Sequence, residues 1–151
     1  MLLSFKADVY KRVLSGEKIY EHRKVFPSGI VKAYLYVSNP IKSIVGIMTL
    51  SNKVKIETWK EKYASDEKTL ERIDNYLKYH TVAMEINNFQ NTNMIPLEQL
   101  RKDLPGFVVP QMYYYIEESP LLEYLKLNLY PIGDLIKHEF DNIPADMICR
   151  H

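Results

Sequence analysis

The sequence predicts an α+β domain built on a small, strongly bent mixed sheet or open barrel. Three observations predict it. Short runs alternate apolar with polar residues, most cleanly Ala33, Leu35 and Val37 against Lys32, Tyr34, Tyr36 and Ser38, the period of a strand with two distinct faces. Helical spacing is confined to a few segments, the main one inserted between strands at Glu57 to Tyr79. A strand–helix–strand rhythm does not continue beyond the first unit, which argues against a doubly wound parallel sheet.

The elements follow in order. Residues 2–5 read as a short strand and Asp8 to Ser15 as a helix, with Val9, Tyr10, Val13 and Leu14 on one face and Gly16 at its left-handed stop. Residues 18–26 and 31–38 read as strands, separated by Pro27-Ser28-Gly29, and Asn39-Pro40 marks a turn. The β-branched stretch 43–57 reads as one long strand or a hairpin near Ser51-Asn52. Ser65 is the expected cap of a second helix in the 57–79 stretch, whose stripe is Leu70, Ile73 and Leu77 and whose Asp74 and Lys78 form a favourable i,i+4 pair. Residues 80–89 return to strand, Pro96 to Lys102 forms a short helix, residues 111–117 a further strand, and 121–129 a helix opened by Ser119-Pro120. The remaining tail is irregular, with Cys149 expected near a frayed end.

Composition narrows the function classes. A chain of 151 residues and 17.8 kDa, 46% hydrophobic and 26% charged, has the size and balance of an ordinary globular domain. No apolar run approaches the roughly 18 residues of a bilayer span, so no membrane partner is expected. Lys6 follows too soon after Met1 for a signal peptide. The single cysteine points to a reducing, cytoplasmic setting. The five glycines fall into neither GxGxxG nor GxxxxGK[ST], which disfavours Rossmann and P-loop chemistry. The four histidines lack metal-ligand spacing, and neither metal nor cofactor is expected. Charge divides along the chain. Residues 1–62 carry 12 Lys/Arg against 5 Asp/Glu, and residues 63–151 carry 8 against 14. A basic first half favours a polyanionic or nucleotide partner unless the fold interleaves the halves.

The densest polar cluster is Ser15-Gly16-Glu17-Lys18-Ile19-Tyr20-Glu21-His22-Arg23-Lys24, at a helix-to-strand junction. On a regular strand Glu21 and Arg23 share a face, and Lys18 joins them if it lies in the loop before the strand. The pattern suits a pocket with a cation and a proton acceptor, and equally a solvated edge strand guarded by charges. Gly16-x-Lys18-x-x-Glu21-x-Arg23 resembles the GxKxxExR signature of ASCH domains, small β-barrels related in fold to PUA RNA-binding domains. Leu3-Ser4-Phe5-Lys6, Thr81 to Asn87, Met94 to Arg101 and Pro110 to Tyr115 resemble further blocks of that family in the same order, so the likeness covers residues 1–118.

The resemblance implies a PUA-like mixed β-barrel with flanking helices, over residues 1–118, and a C-terminal helical extension over 119–151 packed on it. It implies a cleft for RNA or a modified nucleobase, with Lys18, Glu21, Arg23 and Glu85 as functional positions. Some ASCH proteins are amide hydrolases acting on acylated cytidine and some are reported as nucleases. In the amidohydrolase branch a threonine stands where this chain has Glu21, so the pocket transfers more readily than the reaction. If Glu85 faces Lys18, the two would work as a catalytic pair with Glu21 positioning. Among the other residues, Tyr36 offers a stacking face and Ser38 a hydrogen bond at the end of a strand. The leading expectation is an RNA- or nucleotide-binding protein. The alternatives are a hydrolase on a modified nucleoside or RNA, with Lys18, Glu21 and Glu85 catalytic and Arg23, Ser38 and Tyr36 binding, and a regulatory protein-interaction module centred on the extension.

Overall fold

A computed structural model describes all of residues 1–151. In chain order the elements are β1 (Leu2–Phe5), α1 (Ala7–Ser15), β2 (Tyr20–Arg23), β3 (Val31–Val37), β4 (Ser43–Lys55), α2 (Trp59–Lys62), α3 (Glu67–Leu77), β5 (Val82–Pro96), α4 (Leu97–Asp103), β6 (Tyr113–Tyr114), α5 (Pro120–Asn128) and β7 (Ile136–Lys137). The sheet runs β2-β5-β4-β3-β1-β6, with β7 paired to β5. β1 lies parallel to β3, as the α1 connection around β2 requires, and the other pairs are antiparallel. Register shifts at Ile44/Gly46, Thr49/Leu50 and Ser51/Val54 bend the two longest strands, and such bulges sharpen twist locally. The result is a curled half-barrel with helices on its outside.

Both faces of the sheet are buried, which explains its mixed patterning. Leu3, Phe5, Leu35, Val37, Met48 and Phe89 point into the barrel interior. Ile56, Trp59, Ile73, Tyr76 and Ala83 form a second core beneath α3, and Leu2, Tyr34, Tyr36, Leu100 and Leu125 a third beneath α4 and α5. No helix is long and apolar enough to cross a membrane.

Several local expectations change in the folded chain. Of the two alternatives for 43–57 the long strand holds, ending at Lys55, and Asn52 takes φ 55° at a bulge within it. β5 runs fifteen residues, because its second half pairs with β4 as far as Ile95 and Pro96. The α3 cap is Asp66, whose carboxylate accepts from the Thr69 N–H at 3.1 Å; Ser65 lies one residue too early. Asp74 pairs with Lys60 of α2 at 2.6 Å, leaving Lys78 to Asn75. The buried stripe of α3 is Thr69, Ile73 and Tyr76, while Leu70 and Leu77 are half-buried. The tail is not frayed at Cys149, which is 1% exposed in the second core. Burial pushes its thiol up to about 11, so it stays protonated.

Candidate functional site

Gly16 takes φ 80° and its N–H caps the Val13 carbonyl at 3.2 Å, which turns the chain out of α1. The Lys18 N–H then bonds the Arg12 carbonyl at 3.0 Å, fixing Lys18 in the loop ahead of β2. Within β2, Glu21 and Arg23 pair across from Met84 and Val82 and so share a face. Their side chains meet at 3.5 Å, and the other Glu21 oxygen accepts from the His22 N–H at 2.8 Å. His22 has the opposite parity and points toward α3, with the Tyr76 ring 4.9 Å and the Trp59 ring 6.3 Å away.

These groups border a hollow of about 510 Å³. The end of β1 and α1 supply one wall, Lys18 and β2 another, and Tyr76 of α3 with His80 in the loop after it a third, with His151 at the rim. Its charges are Lys6, Arg12, Lys18 and Arg23 against Asp8 and Glu21. Only Arg23 among the four cations has a carboxylate partner. Arg12 and Lys18 instead donate to the backbone carbonyls of His151 at 2.6 Å and Arg150 at 2.8 Å. The amide carbonyl of Arg150 leaves much of the Lys18 field uncompensated, and four cationic side chains face two carboxylate side chains, so the hollow is electropositive. Its walls also carry three buried polar atoms with no partner in the protein: His22 Nε2, Arg23 Nε and the Tyr76 hydroxyl. A buried polar atom left unpaired costs about 1–3 kcal/mol. All three belong to residues that border this one cavity, where water or a polar ligand can reach them.

Burial lowers the pKa of Lys18; Glu21 opposes the shift, and Arg23 and Arg12 add to it. His22 falls well below its ordinary value, first through burial and then through the neighbouring Lys18, His80 and His151, and His80 is lowered mainly by burial. Both imidazoles are therefore neutral at pH 7. The sign of the linkage follows. Below about pH 6.5 the unfolded chain binds protons that folded His22 refuses, so stability falls as pH drops through that value and is undiminished above it. One such group contributes a slope of up to about 1.4 kcal/mol per pH unit. Urea melts of His22→Phe between pH 7 and 5 should be flatter than those of the parent, and equal slopes would mean that His22 protonates freely when folded.

Lys18, Glu21 and Arg23 thus come together, and three expected residues stand elsewhere. Glu85 pairs with Tyr20 across the ladder while Glu21 pairs with Met84, so the two carboxylates lie on opposite strand faces. Glu85 accepts from the Asn52 amide at 2.9 Å and takes no part in the hollow, which leaves the Lys18–Glu85 pair unformed. Tyr36 is 2% exposed in the third core, with Phe107 6.4 Å away, because α4, α5 and the loop between them cover the sheet face expected to be polar. Ser38 serves a turn: its N–H bonds the Phe5 carbonyl and its own carbonyl accepts from Ile41. The sequence reading missed Arg12, His22, His80 and Tyr76. Tyr76 had a signal, since it follows Thr69 and Ile73 at helical spacing, but only the packing of α3 against β2 makes that stripe a wall.

By sequence, no family profile and no curated protein matches the chain. By structure, it is similar to the ASCH protein of Zymomonas mobilis, with a TM-score of 0.62 and 21% identity over 83% of this chain and 93% of that one. Crystal structures of a Ser-to-Ala and a Tyr-to-Phe variant of that protein align equally well, at 21% and 20% identity over 94% and 96% of their chains. The fold is that of an ASCH domain. In this ASCH fold the hollow lies along β2, and Lys18, Glu21 and Arg23 of the Gly16-x-Lys18-x-x-Glu21-x-Arg23 segment line it. No group of three His, Cys, Asp or Glu side chains is placed to hold a metal ion.

Proposed function

We propose that the hollow binds a nucleotide, free or within RNA, and that Lys18, Glu21 and Arg23 are its principal contacts. One observation carries this reading: an electropositive cavity holds three unpartnered buried polar atoms beside a carboxylate. Arg23 Nε is a donor and Glu21 an acceptor. The His22 Nε2 and Tyr76 hydroxyl serve either way, so together they match the mixed donor and acceptor edge of a nucleobase. Lys18 exchanges the neutral Arg150 carbonyl for an anionic phosphate oxygen, which is a stronger acceptor. The chain's excess of cations before residue 63 is placed to good effect here, since Lys6, Arg12, Lys18 and Arg23 all come from it.

Calorimetric titration with single-stranded RNA and with cytidine 5′-monophosphate, at low and at high salt, tests the proposal. Affinity should weaken as salt rises. Absence of binding at both salt concentrations overturns the reading, and salt-independent binding removes its phosphate contact. Glu21→Gln keeps the shape but exchanges half of the acceptor for a donor. It should weaken binding about tenfold, in keeping with loss of one charge-assisted hydrogen bond. The hydrolytic alternative relies on the same lysine but is without its second carboxylate, since Glu85 is turned away. Incubation with acylated cytidine is expected to give no product above buffer.

A further inference from the structure

The last residues of the chain lie against the cations of the hollow. Residues up to Cys149 are firmly seated: Ile148 and Cys149 are buried in the second core, and Arg72 donates to the carbonyls of Ile148 and Ala145. Cys149 then turns the backbone with φ 52°, and Arg150 and His151 emerge exposed. These two residues make three contacts with the site. The Arg150 carbonyl accepts from Lys18 at 2.8 Å, the His151 carbonyl accepts from Arg12 at 2.6 Å, and the His151 ring stacks on Tyr76, 5.0 Å between centroids at 28°.

Two oxygens on two cations, and a planar heterocycle on an aromatic face, are the contacts a nucleotide would make there. We propose that Arg150–His151 is an intramolecular strap occupying the ligand's seat, and that a nucleotide binds by displacing it. The proposal rests on the function proposed above and adds its regulation. Strap and ligand exclude each other because both need the Tyr76 face and the donors of Lys18 and Arg12. The strap holds Lys18 through the neutral Arg150 carbonyl, Arg12 through a single oxygen of His151, and Tyr76 through one stack. A phosphate holds the same donors through charge-assisted bonds, so the exchange runs toward the ligand once it is abundant. While the strap is closed, apparent affinity is reduced by the fraction of molecules that are open. The buried anchor at Ile148–Cys149 confines the motion to the two residues beyond the left-handed turn.

The test follows the His151 ring by NMR in the full chain during titration with cytidine 5′-monophosphate, alongside calorimetry of the parent and His151→Ala. Stacking on Tyr76 shields the ring protons of His151, and binding should return them to solvent-exposed positions. His151→Ala, which weakens the strap at an exposed site, should bind about three- to tenfold more tightly. If Tyr76 resonances titrate while those of His151 stay in place, the strap fails and the nucleotide reading stands. Equal or weaker affinity of His151→Ala also overturns the strap, the latter by making His151 part of the seat. No binding by either protein overturns both proposals.

Discussion

Lys18→Met should reduce affinity for cytidine 5′-monophosphate roughly ten- to hundredfold while the protein stays folded. The lysine is 3% exposed and its ammonium has no carboxylate within ion-pair distance; its hydrogen bond goes to the Arg150 carbonyl. An ammonium so buried binds an anionic oxygen with little competition from water. Loss of a hydrogen bond to a charged group costs about 1.5–3 kcal/mol. Methionine preserves the stem that packs beside β2 and removes a cation whose burial is unfavourable. The carbonyl it abandons belongs to an exposed residue that water reaches. The thermal midpoint should therefore move little, which separates a binding defect from misfolding. The salt dependence gives an independent measure: the slope of log affinity against log salt should fall by about one phosphate contact. Unchanged affinity would exclude Lys18 from the site, and an unchanged slope with weakened affinity would place it against the base instead of the phosphate.

The part of this site legible in the sequence is the part that is local. Gly16 as helix stop and Glu21 with Arg23 at strand parity follow from backbone rules acting over a few residues, and the folded chain places them so; the strand expected from residue 18 starts only at Tyr20, which is what leaves Lys18 in the loop. Glu85 lay beyond that reach. Its alternation within β5 was plain, but the face it takes relative to Glu21 is set by the β2–β5 register, a long-range pairing. Tyr36 failed for another reason. An alternating strand reads as half-solvated, yet here its polar-looking face is covered by the last third of the chain, and tyrosine tolerates either setting. The tail was the least legible. Its apolar residues Ile143, Ile148 and Cys149 are too few to show a period, and only the second core gives them a place.

Gly46→Ala should be the most destabilising small substitution in the barrel, lowering stability by about 3 kcal/mol. Gly46 sits on β4 at the register shift from Ile44, where β4 and β5 draw together. A Cβ there would collide with the Phe89 ring and lie 2.5 Å from the Gln90 carbonyl oxygen, where real Cβ atoms do not come within 3.0 Å. The ring cannot swing aside, because Phe89 is fully buried and meets Tyr10 edge-on at 5.8 Å. The carbonyl belongs to the sheet itself, so relief requires the strands to part. Overpacking of a dense core costs about 1–3 kcal/mol, and backbone obstruction places this case at the upper end. For a domain of this length the thermal midpoint should drop by roughly 6–12 °C. Phe89→Leu in the same background removes the ring collision but leaves the carbonyl. The double variant should therefore be less destabilised than the sum of the two, yet short of the Phe89→Leu protein alone; simple additivity would show that the ring is not the obstacle. The consequence should reach the site. Tyr10 packs on Phe89 and donates to Asn91 at 3.0 Å, and it shares α1 with Arg12. Strands that part carry Phe89 and Asn91 with them, so Tyr10 and the helix wall of the hollow should shift and nucleotide binding should weaken without a change to any residue that lines it.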